Sequence, residues 1–260
     1  DRSMLETVAS FVSPTASQLI DAFWPGPLTL VLPKRPDVPD LVTAGLPTVA
    51  VRIPNHPVAQ ALIREAQTPI AAPSANPFGY VSPTTAQHVA DGLGDTVDLI
   101  LDGGPCSVGV ESTIVSLTGP IPELLRPGSL SLEEIQTVIG LIKHTRTADE
   151  IGHMPGQSAR HYATRTPVII LSTQGEWPAP QGSERIGLLA MSTPRHSTDR
   201  FSAVEILSPS GDLREVAHHL FAALRKLDEL GLDRLYAEPC EEVGLGLAVM
   251  DRLRRCATPS

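Results

Sequence analysis

Pro47-Thr48-Val49-Ala50-Val51-Arg52-Ile53 alternates without a break between two sets of residues. A strand turns successive side chains to opposite faces, so Thr48, Ala50 and Arg52 share one face and Val49, Val51 and Ile53 the other. One face is apolar, and the other carries a cation. Outward from this stretch, apolar runs of strand length recur at 28–32, 68–72, 99–102 and 113–117, with helical patterns at 57–65, 84–89 and 131–139. That alternation predicts an α/β domain organised on a sheet.

The periodicity fails between 143 and 165, where the polar run His153-Met154-Pro155-Gly156-Gln157-Ser158 reads as a linker. Beyond it stand strand candidates at 168–171, 186–190 and 232–237 and a last helix at 248–255. Between them Val216, Leu220, Leu224, Leu227 and Leu230 recur at three- and four-residue spacing, the mark of a long amphipathic helix. The expected organisation is therefore residues 1–142, a linker over 143–165, and a smaller Rossmann-like α/β domain over 166–260. At the other end, Asp1 runs straight into a helical pattern (Met4, Leu5, Val8, Phe11) with no preceding strand or initiator methionine, as if the beginning were cut off.

With 260 residues, 42% of them hydrophobic, the chain can bury a full core. Its longest apolar runs, 167–171 and 186–191, are too short to cross a bilayer, and no basic-apolar-small leader opens it, so a cytoplasmic protein with no membrane partner is expected. Cys106, Cys240 and Cys256 stand far apart with no histidine at ligand spacing, which suggests neither a disulfide framework nor a zinc site. The net charge of −9 argues against a surface given over to nucleic-acid phosphates.

Several short segments are suited to a polar ligand, and each has a plainer explanation. Arg52 suits bidentate capture of a carboxylate or phosphate, although an ordinary surface arginine on an exposed strand face fits the same pattern. In Ile70-Ala71-Ala72-Pro73-Ser74-Ala75-Asn76 small residues follow a strand candidate and would let a ligand approach the backbone, with Ser74 and Asn76 as hydrogen-bonding groups; a tight turn explains them equally. Ser82-Pro83 has the order of a helix cap and a first-turn proline, so the helix start there faces an anion or is simply capped. The Gly-rich loop of 101–113 can wrap a phosphate but lacks the Gly-Lys-Ser/Thr of a Walker loop, and Gly244-Leu245-Gly246 reads best as a turn. Arg126 precedes a proline, which favours an extended backbone. With no Ser-His-Asp arrangement, G-x-S-x-G elbow or H-E-x-x-H helix in the sequence, what remains is a set of hydroxyls, small residues and two arginines suited to orienting anions.

Taken in order, Phe23-Trp24-Pro25-Gly26-Pro27-Leu28-Thr29, Thr48-Val49-Ala50-Val51-Arg52, Ala72-Pro73-Ser74-Ala75-Asn76, Glu111-Ser112-Thr113-Ile114 and Arg126-Pro127-Gly128 resemble the motifs of YrdC-like domains. Arg160-His161-Tyr162-Ala163 and Gly244-Leu245-Gly246-Leu247-Ala248 extend the resemblance to the two-domain L-threonylcarbamoyladenylate synthases. Met154 and Gln157-Ser158-Ala159 differ from that family's usual linker residues. The resemblance implies a twisted, open mixed sheet of YrdC-like type, lacking its first strand, its first helix and a basic phosphate-binding motif, followed by a Rossmann-like domain. It implies a nucleotidyltransferase that makes threonylcarbamoyl-AMP and pyrophosphate from L-threonine, bicarbonate and ATP, with Mg²⁺ accompanying the ATP. The product would serve modification of the tRNA adenosine beside the anticodon, with tRNA or a threonylcarbamoyl-transferase complex as partner.

Position by position, the resemblance makes Thr48, Ser74, Ser82, Arg126 and Tyr162 contacts to ATP, and Arg52, Ala72 and Ser112 contacts to threonine. It makes Arg160-His161-Tyr162 part of a lid. No covalent catalytic residue and no protein metal ligand is implied. Two other functions fit the same resemblance: a module for double-stranded RNA or tRNA, and a nucleotide-binding regulator without turnover.

Overall fold

The computed structural model describes residues 1–144, 162–172, 177 and 179–257. In chain order the elements are α1 (Leu5–Val8), α2 (Pro14–Phe23), β1 (Leu28–Pro33), α3 (Asp40–Thr43), β2 (Thr48–Val51), α4 (Pro57–Ala66) and α5 (Ala86–Leu93). Then follow β3 (Thr113–Ser116), β4 (Glu123–Arg126), α6 (Leu132–Ile139), β5 (Lys143–His144), β6 (Val168–Ile170) and β7 (Ile186–Ala190). The chain closes with β8 (Ala203–Ile206), α7 (Leu213–Asp228), β9 (Arg234–Ala237) and α8 (Leu245–Cys256). Contacts group residues 1–73 with 111–144 as one unit, and 74–110 with the described residues from 162 onward as another.

The first unit carries a five-stranded mixed sheet of order β2-β1-β3-β4-β5. β1 is a buried inner strand: Leu28, Leu30, Val31 and Leu32 are all enclosed, as a strand covered on both faces requires. It runs antiparallel to β2, with Leu30 opposite Val51, and parallel to β3, with Leu28 opposite Thr113. α2 begins where the Ser13 hydroxyl accepts from the Ala16 amide, and it buries Ala16, Leu19 and Ile20 on one face. Its neighbour α6 starts with a reciprocal box between Ser131 and Glu134 and buries Ile135.

The second unit holds a parallel sheet of order β6-β9-β7-β8. All five residues of β7 are buried. Asp212 caps α7 by accepting from the Arg214 and Glu215 amides, and Val216, Leu220, Leu224 and Leu227 form its core stripe as their spacing foretold.

Elsewhere the structure departs from the sequence pattern. Residues 68–72 and 99–102 are not strands; Ile70, Leu99 and Leu101 are exposed, and an apolar run becomes a strand only where another strand offers hydrogen-bonding groups. α4 has the expected amphipathic spacing yet buries none of its residues, so its pattern exceeds its packing. The helix expected from 84 begins at Ala86, because the Thr85 hydroxyl and not Ser82 accepts the His88 amide. Phe11 and Leu230 fall outside their helices and are exposed, while β4 and β8 form where periodicity gave no strand. Among the described residues no helix is long and apolar enough to cross a membrane.

Candidate active site

In the first unit the polar groups converge on Ser112, just before β3. Arg126, the last residue of β4, donates from Nε (3.1 Å) and one terminal nitrogen (2.9 Å) to the Ser112 carbonyl, and from that same nitrogen to its hydroxyl (3.1 Å). The Ser112 Oγ also lies 2.8 Å from Thr29 Oγ1 on β1, in a buried contact. Below them Thr113 Oγ1 donates to the Leu130 carbonyl and accepts the Leu130 amide, and Ser129 donates its amide and its hydroxyl to the Glu111 carbonyl. The arginine, the serine and the turn after Pro127 are thus one hydrogen-bonded body, as buried polar groups require.

Arg52 directly follows β2. It stands one residue past the Leu30–Val51 pair that ends the β1–β2 ladder. Its side chain reaches solvent, yet the protein around it strips enough water to lower its pKa from the usual arginine value. Among the described residues it makes no hydrogen bond and no ion pair. A partly desolvated guanidinium of this kind favours an incoming carboxylate.

Thr48 opens β2 opposite Pro33, on the same edge strand as Arg52's approach. Ala72 is exposed in irregular chain, as is Ser74, which belongs to the second unit. Ser82 is buried in that second unit, its carbonyl accepting from Arg225 Nε at 3.2 Å. Tyr162 is 1% exposed, its ring stacked 5.3 Å from Phe221 with the Arg252 guanidinium 5.5 Å from its centroid, so its aromatic body serves the core. Arg160 and His161, assigned to a lid, lie outside the described residues. Thr29, Tyr80, Arg225 and Asp228 had no role in the sequence reading; Thr29 alone left a signal, as the last residue of the Phe23–Thr29 motif.

These features define a two-sheet α/β protein whose first unit links the Thr29 and Ser112 hydroxyls to Arg126 and carries Arg52 directly after β2. The family described as telomere recombination, which takes in Sua5, YciO and YrdC, matches residues 1–128, and the threonylcarbamoyl-AMP synthase C-terminal domain matches 130–258. A threonylcarbamoyl-AMP synthase of Pyrococcus abyssi is 43% identical over 97% of this chain and 76% of its own length. That of Bacillus subtilis is 43% identical over 99% of this chain and 77% of its own. The crystal structure of P. abyssi Sua5 complexed with L-threonine superposes with a TM-score of 0.88 at 40% identity, covering 99% of this chain and 78% of that one. The chain belongs to the threonylcarbamoyl-AMP synthase family.

Proposed function

We propose that this chain is a nucleotidyltransferase that joins L-threonine, bicarbonate and ATP into L-threonylcarbamoyl-AMP and pyrophosphate. The observation that carries this is Arg52: a partly desolvated guanidinium without a partner among the described residues, directly after β2, the strand paired with the β1 that carries Thr29 of the Thr29–Ser112–Arg126 network. Arg52 pairs with the threonine carboxylate, and the Ser112 hydroxyl, held by Arg126 and Thr29, fixes the amino acid beside it. Bicarbonate and the threonine amine lose water to give the carbamate. A carbamate oxygen then bonds to the α-phosphorus of ATP while the bond to pyrophosphate breaks. The protein's part is positioning and charge stabilisation, with Arg126, Thr48, Ser74 and Ser82 on the nucleotide.

Among the described residues no three His, Cys, Asp or Glu side chains gather as a metal-binding set. Mg²⁺ keeps most of its water and is commonly held by nucleotide phosphates, so it enters as part of the ATP substrate. The product is a reactive mixed anhydride whose consumer is a transferase modifying tRNA beside the anticodon. A double-stranded RNA module is disfavoured by the net charge of −9.

The test is pyrophosphate release with ATP, Mg²⁺ and bicarbonate, with and without L-threonine. Threonine-dependent release is expected, and equal release in both arms refutes the assignment. Arg52→Ala is expected to raise the threonine KM by about 30-fold and leave the ATP KM within about twofold, since a charge-assisted bidentate contact is lost from one substrate only. An unchanged threonine KM removes Arg52 from the site.

A further inference from the structure

Segment 79–82 is fastened to the C-terminal end of α7 by two side chains one helical turn apart. Arg225, 5% exposed, donates from Nε to the Ser82 carbonyl and from a terminal nitrogen to the Val81 carbonyl. Its guanidinium also lies 4.9 Å from the Tyr80 ring centroid. Asp228, 4% exposed, accepts from the Tyr80 hydroxyl at 2.7 Å, the Thr166 amide at 2.8 Å and Arg165 Nε at 3.2 Å. Tyr80 and Ala163 form a parallel bridge, the Ala163 amide donating to the Gly79 carbonyl. At the far end of residues 74–110, Gly109 sits so close to the Ala217 and His218 carbonyls of α7 that a Cβ there would overlap them.

The carbonyls of Val81 and Ser82 belong to the two peptide planes on either side of the Ser82 Cα. One forked guanidinium holds both, so the direction of the Ser82 Cβ is fixed from α7. We propose that Arg225 is a positioning residue for the nucleotide: by pinning the peptides that flank Ser82 it aims that hydroxyl, so helix α7 of the C-terminal domain sets the affinity for ATP. This rests on the assignment of Ser82 to ATP made above. Asp228 and Tyr80 brace the arrangement, and a charged donor without its acceptors, or the reverse, is costly in a buried site.

The test is steady-state kinetics of Arg225→Met and Arg225→Lys on the full chain, with thermal unfolding of each. The expected result is an ATP KM raised about tenfold in Arg225→Met, with kcat and the threonine KM within about twofold, and an intermediate ATP KM in Arg225→Lys, which keeps one donor but not the fork. A general loss of folded protein lowers kcat and leaves both KM values alone, and that outcome overturns the proposal, as does an unchanged ATP KM. If Arg225→Met does not fold, Tyr80→Phe decides: it keeps the ring under the guanidinium, loses the bond to Asp228, and is expected to raise the ATP KM about threefold; no rise overturns the proposal. If the wild type shows no turnover, ATP dissociation constants from calorimetry make the same comparison. Wild-type protein that neither turns over nor binds ATP sinks the proposed function and this inference together; an active wild type with kinetically silent variants sinks the inference alone.

Discussion

Arg126→Ala is expected to lower threonine-dependent pyrophosphate release by about a thousandfold in kcat/KM, the loss typical of removing a charged group that both binds and preorganises a site. The guanidinium does two things at once. It places positive charge where the phosphates of ATP are proposed to lie, and its three hydrogen bonds to Ser112 fix the carbonyl and hydroxyl of the residue assigned to threonine. Deleting it leaves the Ser112 hydroxyl with its contact to Thr29, so the KM values for ATP and for threonine should both rise, unlike the single-substrate effects of Arg52 and Arg225. Arg126→Lys should recover little, because a point charge on a flexible stem cannot fork across a carbonyl and a hydroxyl. Initial rates over a grid of both substrates measure this. A variant within about threefold of wild type would show that Arg126 only braces the β3–β4 connection.

What the sequence disclosed and what it concealed divide along physical lines. The inner strands β1 and β7 and the helix α7 were legible because burial on one or both faces demands an apolar run or a 3.6-residue stripe. The run at 99–102 misled because Leu99 and Leu101 satisfy the same composition while remaining exposed; strand formation depends on a partner that composition does not name. Ser82 misled locally for a related reason. Ser82-Pro83 and Thr85 both suit a cap, and the choice fell to the hydroxyl that reached the His88 amide. In the candidate site, Arg52, Ser112 and Arg126 stood out through motif order, and alternation alone set Arg52 on the polar face. Arg225 and Asp228 stayed hidden, since on α7 they read as ordinary charges on a solvated face, and their partners lie more than 60 positions away, at Tyr80, Val81, Ser82, Arg165 and Thr166.

Gly128→Ala is expected to destabilise the protein by about 3 kcal/mol or more, the range for forcing atoms into a backbone that cannot yield. Gly128 closes the turn after Pro127 against the start of β3, and an added Cβ would stand 2.5 Å from the Glu111 oxygen and the Ser112 carbonyl carbon, with the Thr113 amide nitrogen also inside contact distance. All three are backbone, so no side chain can swing aside. The same peptides are tied on both flanks: Ser129 donates to the Glu111 carbonyl, and Thr113 Oγ1 exchanges hydrogen bonds with the Leu130 amide and carbonyl. Relief of the overlap must therefore move Ser112, and with it the hydroxyl that Arg126 and Thr29 hold. For a chain of this size the loss corresponds to a fall in Tm of about 6–12 °C. Gly119→Ala is the matched control, because its added Cβ would meet only the Ile121 oxygen at 3.7 Å, an ordinary contact; a change within about 0.5 kcal/mol is expected there. Thermal unfolding followed by circular dichroism, with substrate KM values measured well below the transition, separates the two effects. A Gly128→Ala protein melting within about 2 °C of wild type would mean that the β3–β4 connection can open without cost, and the tightness ascribed to the Ser112 cradle would have to be given up.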